Sequence, residues 1–154
     1  MTNNIQLQSP EVKPYRKSFR LSFRIVDGKV RLESYERLEM ICPPPVGVRP
    51  EAGKNSGFWM EVRDASDRVF FHHILHSPLA DYVEVYSPDG TIRRESRPVS
   101  ESVFEVILPD DDDARSIVLM GEYLKPEEAD EQWGMGAHEL ARFDVPKGKK
   151  RGKQ

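Results

Sequence analysis

Residues 18–26, SFRLSFRIV, alternate without a break, with Phe19, Leu21, Phe23 and Ile25 on one side and Ser18, Arg20, Ser22 and Arg24 on the other. A period of two is the signature of a half-buried β-strand. Asp27 and Gly28 then supply two residues that tolerate positive φ. Val30 and Leu32 resume the alternation beyond them, so the pattern predicts a hairpin. The phase drifts after Ser34, where a bulge is expected. Residues 42–57, CPPPVGVRPEAGKNSG, hold too many prolines and glycines to sustain a hydrogen-bond ladder and read as a long loop.

A second hairpin follows, in which Phe58, Met60 and Val62 alternate with Trp59, Glu61 and Arg63, Asp64 to Asp67 turn the chain, and residues 68–75 return. YVEVYSPDG gives a short strand and a Pro-Asp-Gly turn, SVFEVILP and RSIVLMG flank the acidic run Asp110 to Asp113, and HELARFDV closes the pattern. The whole reads as about seven to eight strands, an all-β antiparallel sandwich with two long loops at 42–57 and 122–136. Only KPEEADEQW, with Pro126 near its start, looks locally helical.

FEVILPDDDDARSIVLMG resembles the late-strand corner of immunoglobulin-like and fibronectin type III-like sandwiches, where a strand ends in Leu-Pro, a polar corner follows and an apolar strand returns. The resemblance spans roughly residues 17–146. It implies an immunoglobulin-like fold for residues 17–146 and a binding or spacer role. Residues 1–16 and the basic tail 147–154 carry no apolar pattern to repay ordering, so they are expected to be flexible and disordered.

The chain has 154 residues, 38% of them hydrophobic and 32% charged, enough apolar content to fold. The net charge of −3 conceals a segregation: five of the 23 basic side chains stand in residues 147–154, whereas all 26 acidic ones precede them. An acidic body argues against nucleic acid as the main partner. No segment has the apolar run of a membrane span or of an export signal, and Cys42 is the single cysteine, so the expectation is a cytoplasmic protein without a disulfide.

FFHHILH, residues 70–76, is the most suggestive chemistry. In a strand, His72 and His76 share a face yet stand ~13 Å apart, too far for one metal ion. His73 points the other way, and His138 has no partner at ligand spacing, so solvent-facing strand histidines are the favoured reading. Cys42 precedes three prolines, and no serine sits in a G-x-S-x-G elbow, so neither a catalytic residue nor a cofactor is expected. Asp110, Asp111, Asp112 and Asp113 offer Ca²⁺ ligands as an alternative to a solvated turn, with no glycine placed as an EF-hand loop requires.

If Phe58, Met60 and Val62 face the core, Trp59 faces away. By the same rule Tyr82 and Tyr86 face away from Val83 and Val85. The three aromatics are either roofed by the long loops or form an exposed patch, and the patch would be the binding surface for a protein partner or a second copy. The expected function is a non-catalytic protein-interaction or structural module, with a small-ligand module for carbohydrate or Ca²⁺ as the alternative.

Overall fold

The computed structural model describes residues 14–76, 80–86, 88–98, 101–125, 128 and 134–146, giving the backbone alone for 80–86 and 93–98. Nine strands follow one another along the chain: β1 (Ser18–Val26), β2 (Lys29–Leu38), β3 (Phe58–Arg63), β4 (Val69–Leu75), β5 (Ala80–Tyr86), β6 (Ile92–Pro98), β7 (Glu101–Pro109), β8 (Ser116–Gly121) and β9 (His138–Asp144). Seven of them form two antiparallel sheets, ordered β2-β1-β7 and β4-β3-β8-β9, and β5 pairs with β6 in a two-stranded sheet. The fold is all-β and sandwich-like. No α-helix occurs among the described residues, and none is long and apolar enough to cross a membrane.

Strand alternation builds the main core. In register across the first sheet, Phe19 pairs with Leu108, Leu21 with Val106 and Phe23 with Phe104. Their side chains, all buried except the half-buried Phe104, pack in one core with Met60, Val62, Phe71, Ile117 and Leu119 of the second sheet. Phe23 stacks on Phe104 at 5.4 Å and touches the ring of Phe143, from β9, at 5.1 Å. Such ring pairs add about 0.5–1.5 kcal/mol beyond the area they bury.

The β1–β2 turn is as the pattern predicts, with Asp27 at φ 49° and Gly28 at φ 79°, the double positive φ of a two-residue hairpin. The bulge falls one residue earlier than the drift suggests. Ser22 pairs with Ser34 but Phe23 with Leu32, leaving Glu33 unpaired, where its carboxylate is free to take Arg24 at 2.5 Å. In the β3–β4 turn, Asp64 Oδ1 accepts from the amides of Ser66 and Arg68 at 2.9 Å, and Asp67 sits at φ 63°.

The strand β6 is absent from the sequence reading, because IRRESRP alternates no apolar face and ends in proline. The expected helical segment 125–133 lies outside the described residues except at Lys125 and Glu128, where the Glu128 amide donates to the Lys125 carbonyl at 2.9 Å. The expected flexible N-terminal segment and basic tail lie outside them too, except for residues 14–16. There the Tyr15 ring packs 6.0 Å from Phe71, and its carbonyl accepts from the Cys42 amide at 2.8 Å.

Candidate functional site

The second sheet is buried on both faces at its centre. β3 carries Met60 and Val62 into the main core while Trp59 and Glu61 face outward, and all four are buried. Of the two alternatives for Trp59, roofed or part of an exposed patch, the structure has the first: it points away from the main core but is 1% exposed, packed with Val118, Met120 and Ala137, so it does not form the exposed binding surface. Two segments remote in sequence supply the roof. The Gly53 amide donates to the Ala137 carbonyl at 2.8 Å, and the Ala137 amide to the Asn55 carbonyl at 2.9 Å. The crossing is so close that a Cβ on Gly136 would lie 2.8 Å from the Gly53 carbonyl carbon. Tyr82 and Tyr86 stand on β5, opposite Ser96 and Ile92, and their side chains lie outside the described residues.

Cross-strand register sets His72, Glu61, Val118 and Arg142 side by side in one row of the outward face. Glu61, 4% exposed, is fully engaged. Its Oε2 accepts from Trp59 Nε1 at 2.8 Å, and its Oε1 accepts from Arg63 Nη2 at 2.7 Å and Nε at 3.0 Å. Burial of that carboxylate is tolerable because a guanidinium and an indole N–H replace the water it gives up.

Arg63 continues to Asp67 at 3.2 Å, Asp67 to Arg142 at 2.8 Å, and Arg142 to Glu139 at 2.9 Å. The Arg142 guanidinium, hydrogen-bonded to both, holds the carboxyls of Asp67 and Glu139 below their ordinary range. These two acids and Arg142 are partly solvated, so they anchor the rim more than they stabilise the fold.

The histidines depart from the expected solvent-facing arrangement. His72 is 7% exposed, and its Nε2 is buried without a hydrogen-bond partner. His73 faces the core side opposite Met60, where burial, with the neighbouring His72, lowers its pKa. His76, beyond the end of β4, and His138, at the start of β9, are exposed. Among the described residues no three His, Cys, Asp or Glu side chains gather where they could hold a metal ion.

The aspartate run instead shapes a turn beside a polar groove of about 590 Å³. Asp110 is held by Arg37 at 2.8 Å, Asp111 accepts from the Asp113 amide at 3.1 Å, and Arg115 donates to the Asp112 carbonyl. The carboxylates of Asp110 and Asp111 are thus already in use, and the set of Asp110, Asp111, Asp112 and Asp113 does not converge as a Ca²⁺ cage would require. Cys42 is 3% exposed, and burial pushes its thiol up to about 11, far from the thiolate a nucleophile needs.

A less polar cleft of about 280 Å³ opens between the long loop and the β3–β4 edge. Val48, Pro50, Phe58, Trp59, Ile74 and Leu75 are among its lining residues. Two of its lining side chains stand in water, Val48 at 90% exposed and Ile74 at 50%, and in the preceding stretch Met40 is 39% exposed, Ile41 56% and Val46 80%. Sequence reasoning missed these residues because it placed Met40 and Ile41 at the end of the second strand and assigned the apolar residues of the proline-rich loop no role. The signal was present in Val46 and Val48, apolar residues within a segment unable to form a core strand.

Fold and site together define an all-β, sandwich-like chain with a doubly covered sheet and an apolar loop. No protein family, curated protein or solved structure matches it.

Proposed function

We propose that the chain is a non-catalytic protein-interaction module whose contact surface is the loop from Met40 to Pro50 together with Ile74. One observation carries this reading: four large apolar side chains within the nine residues from Met40 to Val48 are between 39% and 90% exposed, and Val48 lines a cleft with Ile74, itself 50% exposed. Isolated exposed apolar residues are ordinary, but several close together in one segment are characteristic of interfaces. A sugar platform is built of several solvent-facing aromatic rings, and Trp59 does not supply one, which leaves Tyr35, 45% exposed, as the one aromatic ring among the exposed large hydrophobics of the described residues. The engagement of Glu61 and the buried, neutral Cys42 also favour a non-catalytic role.

The resemblance to immunoglobulin-like sandwiches supports the reading through one sheet. The order β4-β3-β8-β9 corresponds to C′-C-F-G, whereas in the other sheet it is β1 rather than β2 that pairs with β7, unlike the A-B-E order. We place the module in a reducing, cytoplasmic setting, consistent with its single cysteine.

The test is affinity capture followed by reconstitution with the captured protein. Val46→Asp with Val48→Asp is expected to weaken that binary binding by roughly tenfold or more at unchanged thermal stability. Equal binding by the double variant refutes the assignment of this surface.

A further inference from the structure

We infer that the run Pro43-Pro44-Pro45-Val46 is displayed as a rigid polyproline II ridge for a partner protein whose groove is lined by aromatic rings and edged by a carboxylate. This rests on the interaction-module reading and names the partner's chemistry. The conformation follows from covalent structure. Each proline ring fixes its own φ near −65°. Cys42, Pro43 and Pro44 each precede a proline, which drives their ψ to roughly +120 to +160°. With every described peptide bond trans, those angles are polyproline II.

The ridge is held by its ends. Upstream, the Ser18 hydroxyl donates to the Met40 carbonyl at 2.9 Å, and the Cys42 amide is tied to Tyr15 above a buried side chain. Downstream, Gly47 at φ 75° turns the chain, the Glu51 carbonyl accepts from the amides of Lys54 and Asn55, and Gly53 is bonded to Ala137. Between these anchors, residues 43–49 are all exposed. Pro43 to Pro45 have no N–H to satisfy, and the carbonyls of Pro44 and Pro45 accept no hydrogen bond among the described residues. Anchoring removes in advance most of the ordering entropy that a flexible proline-rich ligand loses on binding.

The exposed groups specify the partner. Carried one residue further through Pro45, whose φ its own ring fixes, a three-residue repeat would put Pro43 and Val46 on one edge, ~9 Å apart, suited to two adjacent slots between aromatic rings. The unbonded carbonyls accept from the indole N–H or phenol O–H that such rings carry. Arg49, exposed just beyond, supplies a guanidinium for a carboxylate at the end of the groove, which fixes the direction of docking. The described residues offer a second copy little to dock against, since Tyr35 at 45% is the one aromatic ring among their exposed large hydrophobics.

The experiment titrates the full-length, ¹⁵N-labelled chain with three purified proline-recognising domains, of SH3, WW and EVH1 type. At least one is expected to give saturable shifts concentrated at Ile41, Cys42, Val46, Gly47, Val48 and Arg49. Pro43→Ala, Pro44→Ala and Pro45→Ala combined is expected to weaken that binding roughly tenfold or more. Pro44→Ala alone, on a fully exposed position, gives a smaller loss and serves if the triple variant unfolds.

Shifts with none of the three domains, shifts that persist in the triple variant, or shifts that depend only on the chain's own concentration overturn the inference. In those cases a captured partner that still requires Val46 and Val48 leaves the interaction module standing without its proline ridge. A captured partner indifferent to both surfaces removes both readings.

Discussion

Replacing Glu61 by alanine tests the reading of the outward face of β3, because that carboxylate is the one acceptor shared by two buried donors. The change leaves Trp59 Nε1 without its 2.8 Å partner under the roof, at about 1–3 kcal/mol for an orphaned donor. It also strips Arg63 of its closest ion pair, where the guanidinium side chain is only 14% exposed. Breaking a fully buried pair costs about 3–5 kcal/mol, but Arg63 keeps Asp67 at 3.2 Å and some access to water, so the lower end applies.

The two costs overlap, since both describe loss of the same carboxylate, and together amount to about 3–4 kcal/mol. At this chain length each kcal/mol moves the thermal midpoint by ~2–4 °C, which makes the expected drop about 6–16 °C. Urea denaturation followed by far-ultraviolet circular dichroism gives the free energy directly, with the m-value as a check that compactness is unchanged. Glu61→Gln keeps one oxygen acceptor and should lose about half as much. Glu61→Leu with Arg63→Met removes both charges and should recover the part of the loss due to the stranded guanidinium, leaving that of the unpartnered Trp59 Nε1. A Glu61→Ala cost under about 1 kcal/mol would show that water reaches this face freely and would sink the argument.

Trp59→Ala should cost about 3–5 kcal/mol in the same urea assay, as for a core aromatic. Gly121→Ala should cost about 1–3 kcal/mol in the same urea assay, since a Cβ there would lie 2.6 Å from Leu140 and closer still to the Phe58 ring. Cys42 should resist a thiol reagent at pH 8 in the folded chain and react at once in denaturant. Because its folded pKa, about 11, lies above the ordinary 9.0, its contribution to stability is complete below about pH 9 and disappears as the pH rises from there through 11. Cys42→Ser should flatten that part of a stability-against-pH curve, and an unchanged slope would count against thiol burial as its origin.

How far the sequence could be read depended on the range of the forces involved. Alternation in SFRLSFRIV is local, and so is the turn chemistry of Asp27-Gly28, so β1, β2 and their turn were legible almost to the residue. Which way Trp59 points was also legible. Whether it meets water was not, because its roof is made by Gly53, Asn55 and Ala137, whose approach no period-two pattern encodes.

His72 follows the same logic: the strand puts it on the outward face, and only the covering of that face makes it buried. One sign was nonetheless present. Trp59, Glu61 and Arg63 at successive positions of one strand face form a donor, acceptor, donor series that makes chemical sense out of water. β6 left no signal, since its pairing with β5 does not rest on an apolar alternation of its own.

The position of β1 at the centre of its sheet has a consequence for biosynthesis. Its partner on one side, β2, emerges from the ribosome at once, but its partner on the other is β7, and Arg24 and Glu101, which meet in an ion pair, are 77 positions apart. At ~5–20 residues per second, the first hairpin waits roughly 4–15 s with one edge of β1 open and Phe19, Leu21 and Phe23 uncovered. Arg20 and Arg24 on the opposite face then act as gatekeepers, keeping a nascent, sticky strand charged until the seventh strand arrives to close the sheet.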